Sequence, residues 1–370
     1  MKLASLKEGG RDGTLIIVKR NLTEAAKVGH IAPTLQVAIE NWDVIAPKLQ
    51  AEFERLEAGG HPDAFPFVVD DLASPLPRAY QFLDGSVYLH HMKKARAARG
   101  AAMPPNYETD PLIYQALSHG FCGPTEPMRF PSEELKIDFE GEVAVVLDDV
   151  PMGVTAEEAG KHIKLIMLLN DYTLRALTKT ELPKGFGFMQ AKPTSSFSPV
   201  AVTLDELGEA WDGNTVHLPV VSKINGKWFG HPNAGQDMWF TYPQLIAHAA
   251  RTRELAAGTI IGAGTVSNAS DESGYGCISE AQTDEKLKYG APKTNFLKFG
   301  DTVRVEMFDE DGNSIFGAIE NQMAPGGLPP PPAPPPILGE GREEQDKYQR
   351  LLSGFCEASP PMLLRRGAEE

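Results

Sequence analysis

Long apolar stretches are missing from this chain. The longest uninterrupted runs, Leu15–Val18, Val143–Leu147 and Leu165–Leu169, fall far short of the ~20 residues that a membrane-spanning helix needs. The opening Met1-Lys-Leu-Ala-Ser-Leu-Lys-Glu-Gly-Gly10 has no continuous apolar core, so no signal peptide is expected there. Cysteine is scarce: Cys122, Cys277 and Cys356 are odd in number and fall in no metal-binding spacing. A reduced, cytoplasmic setting is the expectation. Cations are outnumbered, with 35 Lys plus Arg against 50 Asp plus Glu and a formal charge of −15. Such a field repels phosphate backbones and anionic membranes, so neither nucleic acid nor a membrane is expected as a partner. There is no P-loop, no H-E-x-x-H and no G-x-S-x-G, and no internal repeat. Gly185-Phe-Gly187 and Gly262-Ala-Gly264 are isolated pieces of a dinucleotide fingerprint. Nucleotide-binding and serine-hydrolase chemistry are disfavoured accordingly.

What is present suits a globular protein of two or three units: 370 residues, 42% hydrophobic and 23% charged. Residues 1–71 are expected to form a small α+β domain. Leu15-Ile-Ile-Val18 after Gly9-Gly10-Arg11-Asp12-Gly13 predicts a hairpin. Leu35, Ala38, Ile39, Trp42, Ile45, Leu49, Phe53 and Leu56 carry helical spacing, with Pro47 expected to kink or split the helix. Leu72–Arg78 is Pro-rich and reads as a linker or an entry turn. Residues 79–323 alternate short strand-like runs with Gly, Pro, Asn and Asp; examples are Glu142–Leu147, Val200–Thr203, His217–Val221, Gly258–Ile261 and Thr302–Phe308. Two helices are expected there, one opened by a capping box at Thr155–Glu158 and one over Tyr242–Thr252. Many strands and few helices predict a β-rich α+β fold. From 327 to 370 the chain is a tail expected to be disordered, with Pro at every position of 329–336 except Ala333.

Asp138-Phe-Glu140-Gly-Glu142-Val-Ala-Val-Val146 is the most informative stretch. Strand alternation puts Asp138, Glu140 and Glu142 on one face, where like charges repel unless a cation or water relieves them. The residues alone leave open a solvated strand face or an all-oxygen metal site, which would select Mg²⁺, Ca²⁺ or Mn²⁺ over zinc. Asp171 ends the apolar run Leu165-Ile-Met-Leu-Leu-Asn170-Asp171, either as turn chemistry or aimed into a cleft. Arg175 and Lys192 follow, as solvated cations or as partners of an anionic substrate. His90 and His91 form a pair that is structural or basic, and Asp84 lies in an Asp-Gly turn. Glu280 is either a surface acid or the carboxylate that orients a histidine base.

In this order the pieces resemble the fumarylacetoacetate hydrolase family over residues 79–323. The likeness rests on the Asp138–Val146 run, Asn170-Asp171 with Arg175, Gln190-Ala-Lys192-Pro, and Leu255–Thr265. The layout is most similar to bacterial fumarylacetoacetase-type members with a small N-terminal domain. The resemblance implies a mixed β-sandwich roll, a homodimer and a divalent cation, Mg²⁺ or Ca²⁺ or also Mn²⁺. It implies metal ligands at Asp84, Glu140, Glu142 and Asp171, and His91 rather than His90 as a base paired with Glu280. Lys192 takes an oxyanion role, and Arg175, Lys192, Gly264 and Thr265 contact substrate. The residues between Asp84 and His91 depart from the usual fumarylacetoacetase motif. Thr178 stands where those enzymes have a glutamine, and Leu182 near their tyrosine. The implied reaction is hydrolysis of the C–C bond of a 1,3-diketo acid, fumarylacetoacetate to fumarate and acetoacetate, as in aromatic amino-acid (tyrosine) breakdown. The alternatives are an acylpyruvate hydrolase, a decarboxylase or isomerase of the same family, a metal-dependent small-acid binding protein, and an interaction module run by the Pro-rich tail.

Overall fold

The computed structural model describes residues 1–100 and 102–326; the Pro-rich tail and Cys356 lie outside the described residues. The N-terminal stretch forms β1 (Lys2–Leu6), β2 (Thr14–Val18), β3 (Glu24–Lys27), α1 (Leu35–Glu40), α2 (Trp42–Glu57) and β4 (Ala64–Pro66). Next come β5 (Phe82–Gly85), α3 (Leu89–Arg99), β6 (Ile113–Gln115), β7 (Met128–Phe130), β8 (Ile137–Asp138) and β9 (Gly141–Leu147). They are followed by α4 (Ala156–Ala159), β10 (Ile163–Asp171), β11 (Thr173–Leu174), α5 (Arg175–Glu181), β12 (Ser195–Phe197), β13 (Ala201–Val202), β14 (Val221–Ile224) and β15 (Lys227–Gly230). The last are α6 (Tyr242–Ala249), β16 (Ile260–Gly262), α7 (Ile278–Tyr289), β17 (Thr302–Glu306) and β18 (Ile319–Pro325).

An 11-stranded sheet runs β4-β3-β2-β1-β13-β10-β9-β16-β5-β6, with β12 also on β10. Antiparallel pairs dominate it, and β16 and β5 run parallel. A five-stranded sheet runs β15-β14-β17-β18-β7. The fold is thus β-rich α+β, as the sequence predicts. The N-terminal strands join the large sheet directly, through Lys2 opposite Val202 and Leu3 opposite Ala201.

Both faces of the central strands are covered, which is why they read as near-continuous apolar runs. On β9, Val143, Val145 and Leu147 enter one core while Ala144 and Val146 enter another. On β10, Ile166 and Leu168 face the first and Leu165, Met167 and Leu169 the second. Leu35, Ile39, Leu49 and Phe53 of α1 and α2 close the second core, and Tyr242, Leu245 and Ile246 of α6 the first.

Three local expectations need correction. The 34–57 helix breaks at Asn41, whose backbone leaves helical geometry and whose side chain donates to Val37 O at 3.1 Å. Pro47 lies inside α2, where one helical hydrogen bond is forfeited. Thr155 opens only a single turn and makes no side-chain cap bond; the capping box that forms joins Thr241 to Gln244 at the head of α6. The strand expected over His217–Val221 begins instead at Val221, where pairing with Glu306 of β17 starts.

Candidate active site

Sheet register brings three distant carboxylates to one level. Gly262 of β16 lies opposite Asp84 of β5 and opposite Ala144 of β9. Across β9, Glu142 lies opposite Leu169 of β10, two residues before Asp171. Asp84, Glu142 and Asp171 are all buried and offer oxygens within 4.8 Å of one another. Gly262 makes room for this, since a Cβ there would lie 2.3 Å from Asp84 Oδ1.

Neither oxygen of Glu142 has a hydrogen-bond partner among the described residues. Burial, then the charges of Asp84 and Asp171, push its carboxyl well above the usual range. Burial and Asp171 likewise push Asp84 up to about 8. A buried carboxylate left without a donor, among two others, is the arrangement that an oxygen-ligated divalent cation relieves. The trio therefore fits such an ion.

Glu140 stands beside the trio in a different setting. Arg175 Nη2 donates to its Oε1 at 2.6 Å, and Lys192 Nζ donates to Oε2. Burial opposes its ionisation, but Lys192 and Arg175 outweigh burial and hold the carboxyl below its ordinary range. Lys192 Nζ also donates to Asp171 Oδ2 at 2.6 Å. Burial would lower this lysine, yet Asp171 and Glu140 raise it, so it stays an ammonium. Tyr114 Oη, at 2.6 Å, and Ser195 Oγ, at 2.7 Å, donate to Asp171 as well.

Asp138 leaves the carboxylate face that strand alternation predicts. It accepts from Ile278 N at 2.8 Å and Ser279 N at 3.0 Å, at the head of α7, and from Arg175 Nε at 2.8 Å. Its role is to hold Arg175 and the start of α7 in place. Glu280 follows in the first turn of α7, buried and pushed up to about 7 mainly by that burial. Ser267 Oγ donates to its Oε1 at 2.5 Å. His91 of α3 comes within 4.8 Å of Glu280 and Cys277, counted between donor atoms. Lys94 of α3 pairs with Asp284 of α7 at 2.7 Å and so ties the two helices together.

A cavity of about 320 Å³ is lined by Asp84, His91, Glu140, Arg175, Lys192 and Thr265, among others, while Glu142, Asp171 and Glu280 are not among its lining residues. Gly264 lines it too and donates its N–H to Asp84 Oδ1 at 3.1 Å. Leu182 is on the wall, whereas Thr178 is turned back within α5 to Arg175 O at 2.9 Å. His90 is not among the lining residues. A wider groove of about 780 Å³ beside Arg11, Tyr80 and His119 carries the Asp12–Arg78 ion pair, and Asp12 is the one carboxylate among its described lining residues. Tyr114, Ser195, Ser267 and Cys277 are site residues that the sequence does not single out. Each stands alone in a segment without a motif.

Residues 81–324 match the family model described as fumarylacetoacetate (FAA) hydrolase C-terminal, and residues 1–78 that of fumarylacetoacetase N-terminal domain 2. The chain belongs to the fumarylacetoacetate hydrolase family. Among curated relatives of this family member, the mitochondrial oxaloacetate tautomerase fahd2 of Xenopus laevis is 26% identical over 215 residues, 57% of each chain. The oxaloacetate tautomerase YisK of Bacillus subtilis is 30% identical over 132 residues, 36% of this chain and 42% of that one. The chain thus spans about half the length of these two relatives. Among solved structures, the maleylpyruvate hydrolase of Sphingobium sp. SYK-6 superposes with TM-score 0.60 at 16% identity. The fumarylacetoacetate hydrolase of Exiguobacterium antarcticum gives 0.59 at 20%. Each covers 88% of this chain and 100% of its own, and shows the shared fold. The Sphingobium enzyme has also been solved with manganese(II) and pyruvate.

Proposed function

We propose that this chain is a divalent-metal-dependent hydrolase that cleaves the C–C bond of a 1,3-diketo acid, fumarylacetoacetate first among the candidates. The observation that carries this reading is the pairing of a donor-less buried Glu142 with an ammonium, Lys192, fixed on Glu140 and Asp171 at the cavity wall. Asp84, Glu142 and Asp171, with Glu140 turning in from Lys192, would hold Mg²⁺, Ca²⁺ or Mn²⁺. The cation supplies Lewis-acid polarisation of the diketo acid's oxygens when bound. Arg175 binds the substrate carboxylate in the cavity. His91, steadied by Glu280, takes a proton from the attacking water. Lys192 Nζ donates to the oxyanion that forms at the attacked carbonyl carbon. The C–C bond then breaks, the acyl carbon leaves as a carboxylate, and the departing carbon takes up the proton. We further propose that the chain works as a homodimer, which light scattering at twice the chain mass would support.

A second reading within the family is favoured by Leu182 on the cavity wall, near where fumarylacetoacetases carry a tyrosine, and by tautomerases among the relatives. In it the same groups handle an acylpyruvate or exchange the enol and keto forms of a smaller keto acid. The deciding experiment follows loss of diketone absorbance after chelation and after return of Mg²⁺, Mn²⁺ or Ca²⁺. Fumarylacetoacetate, an acylpyruvate and enol-oxaloacetate are run side by side. Metal-restored formation of fumarate is the expected result. Turnover of only the acylpyruvate or the enol would move the activity to the second reading. With the true substrate, His91→Ala should remove turnover and His90→Ala should spare it; the reverse would exchange their roles.

A further inference from the structure

Beside the carboxylate trio lies a second cluster of different chemistry. His91, Cys277 and Glu280 offer a nitrogen, a sulfur and an oxygen, all within 4.8 Å of one another. Cys277 has no solvent exposure and Glu280 is 3% exposed. Glu280 Oε1 is taken up by Ser267, but its Oε2 is buried without a hydrogen-bond partner among the described residues. Lys94, 3.9 Å from Oε1, is drawn aside by Asp284 at 2.7 Å. A mixed N, S, O set suits a borderline-soft tetrahedral ion with one open position, and it suits Mg²⁺ or Ca²⁺ poorly. His91 lines the cavity, so an ion held there has access from it.

We infer that His91, Cys277 and Glu280 form a second, inhibitory cation site that takes Zn²⁺ or a similar thiophilic divalent ion. Binding exchanges the thiol proton of Cys277 for the metal, the proton passing to solvent. An ion in this place occupies both His91 and Glu280 and so withdraws the base and its partner from water activation. The inhibition rests on the function proposed above; the binding does not.

The test uses the full chain with excess Mg²⁺ on the carboxylates, titrated with Co²⁺. Thiolate-to-cobalt charge transfer should appear in the near ultraviolet with one-to-one stoichiometry. It should vanish when Zn²⁺ is added and be absent from Cys277→Ser. Zn²⁺ should inhibit the wild type at concentrations at least about tenfold lower than Cys277→Ser, since losing even an outer-shell partner costs about that much in metal affinity. X-ray absorption of the Zn²⁺-loaded wild type, which does not depend on the variant folding, should show one sulfur at about 2.3 Å. No charge-transfer band at saturating Co²⁺, a band that persists in a folded Cys277→Ser, or an oxygen-only zinc shell would each overturn the site. A band without inhibition would overturn the inhibitory half. A band from a protein that cleaves no diketo acid would leave the site standing and remove the proposed function.

Discussion

Replacing Glu142 by Gln should stabilise the protein without its metal and abolish its turnover. Both oxygens of Glu142 are buried without a hydrogen-bond partner among the described residues, and one of them lies within 4.8 Å of oxygens of Asp84 and Asp171. The amide keeps the volume, stays neutral without having to take up a proton, and gives Asp84 or Asp171 a hydrogen bond worth on the order of 1 kcal/mol. Calorimetry in chelator should show the higher melting temperature, and titration of Mn²⁺ the weaker binding. Unchanged turnover would remove Glu142 from the site. Lys192→Met acts in the opposite sense, stripping Glu140 and Asp171 of the ammonium that ties them together. Turnover should drop ~10²–10³, the usual cost of one oxyanion donor; a loss below about threefold in kcat would exclude that role. At this scale the sequence makes part of the site legible. Glu140, Glu142 and Asp171 stand beside apolar runs where charge has no structural reason to be. Tyr114, Ser195 and Cys277 give no such signal, because each is ordinary in its own segment and meets the site only through tertiary packing.

Between the strands, glycine decides whether the carboxylates can converge. Gly264 has φ +86°, and a Cβ on it would lie 2.4 Å from Gly85 O, a backbone atom unable to yield cheaply. Its N–H also fixes Asp84 Oδ1. Gly264→Ala should therefore cost at least about 1–2 kcal/mol from the left-handed backbone alone, and weaken divalent binding through Asp84. Denaturant unfolding and Mn²⁺ titration check the two effects separately. Wild-type stability and affinity in the variant would mean that the close approach is not needed. Elements buried on both faces, such as β9 and β10, are legible in the sequence as apolar runs. Their order is not, because the pairing of β1 with β13 joins residues some 200 apart in the chain and leaves no local trace. Caps mislead for a related reason. Thr155 and Thr241 carry the same kind of pattern, but the helix headed by Thr155 sends only the small Ala159 into the core, whereas the one headed by Thr241 sends Leu245 and Ile246.

The whole molecule carries a formal charge of −15, a sum that counts its buried carboxylates as ionised, so a proton or a cation held among them relieves part of it. The consequence can be read as a function of pH. Asp84, ordinarily at 3.8, is pushed up to about 8 by burial and by Asp171. The folded protein then holds a proton that the unfolded chain has released, so stability from this group is fully present below about pH 4. It is lost as pH rises towards about 8 and changes no further above it. Other groups titrate over the same range, so the measurement is the difference between wild type and Asp84→Asn, both in chelator. The asparagine cannot ionise. Its advantage over wild type should grow from about pH 4 to about pH 8 and then level off. Saturating Mn²⁺ should reverse the order, because the wild type alone offers the full carboxylate set, and its affinity for the ion should rise with pH over the same interval as the proton ceases to compete. A constant difference between wild type and Asp84→Asn across that interval, together with pH-independent Mn²⁺ affinity, would mean that Asp84 is not the group through which the fold couples its stability to the cation.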